Sequence, residues 1–232
     1  MSEFDSKPDV RVTDAAYREL NQMTLAGWLD YHQREVVFDK VSWMGIPTLK
    51  NVMDLWVYQE LLYRVRPELV IEMGSFKGGS TLYLAQLLEL IGGAGEVVSV
   101  DIDHSHFQAR HPRITLLTGS TRAPETITRL QELAAGRRVM IIHDADHARD
   151  TVLADLLTYA DLVSRDSYFI VEDGVVDLFP PDTLLGGTLG GPGPLPAVRE
   201  FLEQDRRFVI DRDCQRYHLT YNPDGYLKKI AE

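Results

Sequence analysis

The stretch Val70–Ala85, VIEMGSFKGGSTLYLA, decides how the chain is read. An apolar run carries an acid at Glu72. Three glycines follow within six positions, Gly74, Gly78 and Gly79, and a helix-forming segment begins at the last of them. A strand that feeds a glycine-rich turn opening a helix is suited to hold a nucleotide-like ligand. Glycines let backbone approach closely, and a helix N-terminus presents free N–H groups. The spacing is not G-x-G-x-x-G, which argues against a dinucleotide.

Outward from this turn the pattern alternates. Strands are expected at ELVIEM (68–73), EVVSVDI (96–102), RITLLTG (113–119), RVMIIHD (138–144) and SYFIVED (167–173). Helices are expected at Asp54–Arg66, Gly79–Ile91, Pro124–Ala135, Arg149–Leu162 and around Val198–Glu203. RFVIDR and QRYHLTYN read as two closing strands in a hairpin. Apolar, β-branched strands alternating with helices specify an α/β fold, a mostly parallel sheet covered on both faces. Upstream, residues 1–16 are polar. Residues 17–38 carry Tyr17, Leu20, Met23, Leu25, Trp28, Leu29 and Tyr31 at roughly helical spacing, and 41–51 reads as a loop with buried aromatics. The chain divides into an N-terminal helical extension, 1–66, and a ligand-binding domain, 67–232. The Gly/Pro-rich stretch 179–194 reads as a lid or binding loop.

Composition narrows the function. A formal charge of −11 argues against a nucleic-acid-binding surface, whose usual footprint is a basic patch. The single cysteine, Cys214, excludes an internal disulfide and a CxxC zinc site. The N-terminus lacks a secretory signature and no run is long enough to span a membrane, so a cytoplasmic protein is expected.

In an open parallel sheet, ligands bind beyond the carboxyl ends of the strands. Those ends carry Glu72, Asp101, Asp144 and the pair Glu172-Asp173. An acid ending the second strand accepts hydrogen bonds from ribose hydroxyls. Asp144, Glu172 and Asp173 offer hard oxygen donors for Mg²⁺, with helix capping by Asp144 or Asp146 as the competing role. His143 and His147 flank that acid. A general base, a metal ligand and no role are all open for His147.

VIEMGSFKGGSTLYLA, VVSVDID, IIHDADH, YFIVED and TYNPDGYLKK, with WMGIPTLKNVMDLWVYQE upstream, resemble the cephalosporin hydroxylase family over roughly residues 28–230. That family has the Rossmann-like fold of class I S-adenosylmethionine-dependent methyltransferases and is close to macrolide-sugar and rhamnosyl O-methyltransferases. The resemblance implies a seven-stranded sheet with an antiparallel C-terminal hairpin. It implies S-adenosylmethionine and Mg²⁺ as cofactors. Glu72, Gly74, Ser75, Lys77, Gly79 and Ser80 would surround the methionine part, Lys77 either near its carboxylate or in solvent. Asp101 would hold the ribose, with adenine near Ile102, Ser120 and the Asp144-Ala145 turn. Asp144, Glu172 and Asp173 would bind Mg²⁺. His147 stands where related sugar O-methyltransferases place their base. The implied activity is methylation of a hydroxyl on a sugar or other small natural product. The alternative is a cofactor-binding accessory subunit of a natural-product modification complex, and the turn spacing disfavours a nicotinamide oxidoreductase. A homo-oligomer is expected. Trp28, Tyr31, Trp43 and Trp56 would line the acceptor pocket, fill the core or form a subunit contact.

Overall fold

A computed structural model describes residues 22–187 and 190–232. Tyr17 and Leu20, and the polar start of the chain, lie outside the described residues. Helix α1 (Leu25–His32) is capped by the Thr24 hydroxyl and runs on through a π-helical turn, Gln33–Val37, to Lys40. Strands β1 (Ser42–Trp43) and β2 (Ile46–Pro47) form a small antiparallel ribbon where a loop was expected. Helix α2 (Val52–Val65) starts at Asn51, whose side chain accepts from Met53 N at 3.0 Å, and ends on left-handed Arg66 before Pro67.

The alternating unit then follows: β3 (Leu69–Met73), α3 (Gly79–Leu90), β4 (Glu96–Asp101), β5 (Ile114–Thr118), α4 (Pro124–Ala134), β6 (Val139–His143), α5 (Arg149–Tyr159) and β7 (Tyr168–Val171). Helix α6 (Pro194–Gln204), β8 (Phe208–Ile210) and β9 (Tyr226–Lys229) complete it. The seven strands lie in the order β5-β4-β3-β6-β7-β9-β8. All pairs from β5 to β7 are parallel, and β9 runs antiparallel to both its neighbours. The strand order reverses between β3 and β6, which makes their carboxyl ends the topological switch point.

The period-two pleat sorts β3 between two cores. Leu69, Ile71 and Met73 face a cluster that includes Val152, Leu156 and Phe201, from α5 and α6. Val70 faces a second cluster with Leu61, Leu62, Leu84 and Leu88, from α2 and α3. Each such fully buried side chain contributes about 1.5–3 kcal/mol. Helix α2 thus packs into the same core as the sheet, although the sequence assigns it to the N-terminal extension.

The antiparallel C-terminal pair is present as β8 and β9, but QRYHLTYN is not its second strand. Its backbone is committed elsewhere: Tyr221 N donates to Asp54 on α2 at 2.8 Å and the Thr220 hydroxyl to the same carboxylate at 2.5 Å. The chain then turns at Asn222–Gly225, and GYLKK supplies the strand beside β7. Of the roles open to the N-terminal aromatics, lining the cavity at the strand ends is not the one observed: Trp28, Tyr31, Trp43 and Trp56 are all absent from its wall. Trp28 stacks on His32, Trp43 meets Tyr83 edge-on and donates to Gln86, and Trp56 is 58% exposed.

Candidate functional site

The sheet ladder runs one residue past the strands. Asp144 N donates to Met73 O at 2.7 Å and Glu172 N to His143 O at 3.0 Å. Gly74 N donates to Val100 O at 2.8 Å. Neighbouring strands therefore deliver Gly74, Asp144 and Glu172-Asp173 side by side. Gly74, Asp144 and Asp173 border a cavity of about 1070 Å³, at the upper limit of the ~300–1000 Å³ usual for one small ligand.

The glycines act differently from the sequence expectation. A Cβ on Gly74 would strike the carbonyl of Asp144, and one on Gly79 would strike Pro47 and Thr48. A Cβ on Gly78 would lie 2.6 Å from the Phe107 ring. The missing side chains make room for protein, bringing the β2 loop and the β6 end against the turn. Its cavity-facing surface is then backbone, Ser75, Gly79 and Ser80, at the first turn of α3 where N–H groups lack helical partners.

Asp101 is committed to this turn. Its Oδ2 accepts from Ser75 N at 2.9 Å and Phe76 N at 3.1 Å, and its Oδ1 from Asp103 N at 3.2 Å. Partial burial raises its pKa, but these N–H donors outweigh that and hold it below the usual value. Asp101, Ile102, Ser120 and Ala145 all line the cavity. Glu72 and Lys77 do not line it. Glu72 lies buried under the turn, accepting from the Thr81 hydroxyl while its Oε1 has no protein partner. Lys77 lies 5.2 Å over the ring of Phe76, outside the cavity wall.

Also on the cavity wall, Asp144, His147 and Asp173 each present a donor atom within 4.8 Å of the others. His147 Nε2 lies 3.4 Å from Asp173 Oδ2 and 3.9 Å from Asp144 Oδ1. Helix α5 has Ala148 at its N-cap and no side-chain cap; Asp146, two residues earlier, accepts from Ala148 N and the Thr151 hydroxyl, while Asp144 points its Oδ1 towards His147. Asp173 sits in the left-handed region at φ 60°, held by Asn222 Oδ1 on its N–H at 3.2 Å. Such backbone is retained where surrounding contacts enforce it. Burial raises the pKa of both Asp144 and Asp173.

Glu172 departs from the expected triad. Its carboxylate turns to Lys50 Nζ, at 2.7 Å, and Lys50 also bonds Asp144. His143 is buried in a pair with Asp155 at 3.0 Å and does not reach the cavity. Residues missed in the sequence are Lys50, Asn222, and Gln33 and Phe38 on the cavity wall. A lysine in the otherwise apolar loop GIPTLKN, just before the Asn51 cap, was the available signal for Lys50.

The buried acids predict a pH dependence. Burial lifts Glu72 from 4.5 to about 7 and Asp54 from 3.8 to about 7. Between these values the folded state holds protons that the unfolded chain releases. The stability they contribute is complete at low pH and is lost as pH rises through about 7. In chelator, the melting temperature is expected to be higher at pH 5.5 than at pH 7.5, and Glu72→Gln should reduce that difference. A flat profile would refute the assignment.

The family profile described as Rhamnosyl O-methyltransferase/CmcI matches residues 35–230. The rhamnosyl O-methyltransferase of Mycobacterium leprae is 33% identical over 209 residues, covering 85% of this chain and 88% of its own. That of Mycobacterium tuberculosis H37Rv is 32% identical over 210 residues, covering 85% and 83%. An apo structure of CmcI superposes with a TM-score of 0.63 at 23% identity, covering 83% of this chain and 77% of that one. A CmcI structure with Mg and SAM gives 0.63 at 22% identity, covering 84% and 79%. The profile covers most of the chain and the curated relatives exceed 30% identity over 85% of it, and the chain belongs to the Rhamnosyl O-methyltransferase/CmcI family.

Proposed function

We propose that this S-adenosylmethionine-dependent O-methyltransferase acts on a hydroxyl of a sugar or other small natural product, with Mg²⁺ at Asp144 and Asp173 and His147 as the base. One observation carries the reading. His147 Nε2 lies beside two carboxylates on the wall of a cavity with room for two reactants. The names of the curated relatives support a sugar acceptor.

The residues present fit both groups. Gly79 and Ser80 line the cavity at the first turn of α3, where N–H groups lack helical partners, and these suit the charged amino-acid end of S-adenosylmethionine. Asp101 and Ile102 stand where ribose and adenine would rest. Asp144 and Asp173 give hard oxygen donors, which Mg²⁺ prefers to imidazole, so His147 is left for proton transfer. When bound, S-adenosylmethionine supplies an electrophilic methyl group and Mg²⁺ a Lewis acid.

The chain's own work is positioning and deprotonation. His147 Nε2 takes the hydroxyl proton, and Asp173, 3.4 Å away, stabilises the imidazolium that results. Phe38, Leu49 and Val176 line the cavity with apolar surface that excludes water. Thr183 and Gly187, from the Gly/Pro-rich loop, complete the wall. A cofactor-binding accessory protein would have no use for a base so placed.

Calorimetric titration with S-adenosylhomocysteine, in Mg²⁺ and then in chelator, tests the reading. Binding in both, with Mg²⁺-dependent methyl transfer to rhamnosides, is the expected result. No binding in either would sink it.

A further inference from the structure

The acid cluster contains a cation of its own. Lys50 is 4% exposed, and its Nζ donates to Asp144 Oδ2 and to Glu172 Oε1. Its backbone is fixed: Lys50 N donates to Thr48 O at 2.8 Å. The next residue, Asn51, caps α2 and donates to Leu219 O at 2.8 Å. The ammonium is therefore delivered by a rigid loop.

The two oxygens of Asp144 have separate surroundings. Oδ2 is held by Lys50, while Oδ1 faces His147. Burial alone would lower the lysine's pKa, but the carboxylates of Asp144, Glu172 and Glu72 outweigh it and hold the charge in place. Acids at this density cannot all be buried without a counter-charge. Lys50 supplies one where a divalent ion would otherwise supply two.

We propose that Lys50 is a tethered cation that holds Asp144 and Glu172 together in the metal-free protein and competes with a divalent ion for Asp144, keeping the resting metal site weak. It is a positioning residue, acting through the two acids. The inference rests on the metal-assisted reading above and adds its regulation. A weak resting site fills when the acceptor adds its own oxygen donors, so the metal arrives with the substrate.

The test is titration with Mn²⁺, followed by electron paramagnetic resonance of the free ion, on the full-length protein and on Lys50→Met. Removal of a unit charge beside the ion is expected to lower the Mn²⁺ dissociation constant by at least ~10-fold. Mn²⁺ should also raise the melting temperature of the variant more than that of the wild type. A lysine with only a structural role would give the opposite, weaker binding. Lys50→Gln, which keeps hydrogen bonding without charge, is measured alongside.

Wild type that binds Mn²⁺, with neither variant binding it more tightly, overturns the inference and leaves the metal reading standing. Variants that bind when wild type does not support it. Absence of binding in all three overturns both. Two variants that fail to fold even in Mn²⁺ overturn the inference, because divalent charge then does not replace the ammonium.

Discussion

His147→Ala is expected to lower methyl transfer by about 10²–10⁴-fold, the range for losing a positioned general base. Affinity for S-adenosylhomocysteine should stay unchanged. The reason is spatial. His147 faces Asp173 and Asp144 on the cavity wall, and the surface read as the cofactor site is formed by other residues, Ser75, Gly79, Ser80, Asp101 and Ile102, so deleting the imidazole removes no cofactor contact. Single-turnover transfer from labelled S-adenosylmethionine reads the first quantity and calorimetry the second. Mn²⁺ affinity separates the two roles open to an imidazole here. A base can be deleted with the two carboxylates still holding the ion; a ligand cannot. Wild-type turnover in the variant would remove His147 from the chemistry, and loss of Mn²⁺ binding would reassign it as a ligand.

Gly74→Ala should be the most damaging single methyl in the site. Gly74 has φ +85°, a conformation that costs an L-residue about 1–2 kcal/mol. Its new Cβ would overlap the carbonyl oxygen of Asp144, with Asp144 C at 2.6 Å and Ala145 Cα at 2.9 Å. All three are backbone atoms, so no rotamer change relieves the clash, and overpacking adds about 1–3 kcal/mol. A combined loss of about 3 kcal/mol should lower the melting temperature by roughly 6–12 °C for a chain of this size. The forced shift of Asp144 should also weaken Mn²⁺ binding. Gly92 is the control. It has φ +77° but nothing within 4 Å of its Cβ position, so Gly92→Ala should cost only the conformational part. Calorimetric melting of the three proteins checks the order, and a Gly74→Ala protein as stable as Gly92→Ala would disprove the close approach.

The elements were readable because their signals are local. VMIIH and YFIV are apolar throughout and buried throughout, as strands covered on both faces must be. Pro124 and Pro194 each stand in a first helical turn, and Arg66 ends α2 just before Pro67. QRYHLTYN failed by the same logic. Its residue types suit a strand, but the partner that claims its backbone, Asp54, lies 167 residues away from Tyr221. The glycines show both sides. Their type announced tight backbone, yet only the fold revealed that Gly74 makes room for Asp144 and Gly79 for Pro47.

By itself the sequence determined the alternating α/β order, the strand ends that carry acids and the turn that opens α3, because hydrophobic period and turn residues act over a few positions. Tertiary structure alone decided how those acids divide. Asp101 ties down the turn while still lining the cavity, Asp146 serves the start of its helix, Glu172 pairs with Lys50, and Asp144 and Asp173 face His147. Lys50 lies 94 residues from Asp144 and 122 from Glu172. Charges pair by distance in space, and no local pattern records which distant segment the fold brings within 3 Å.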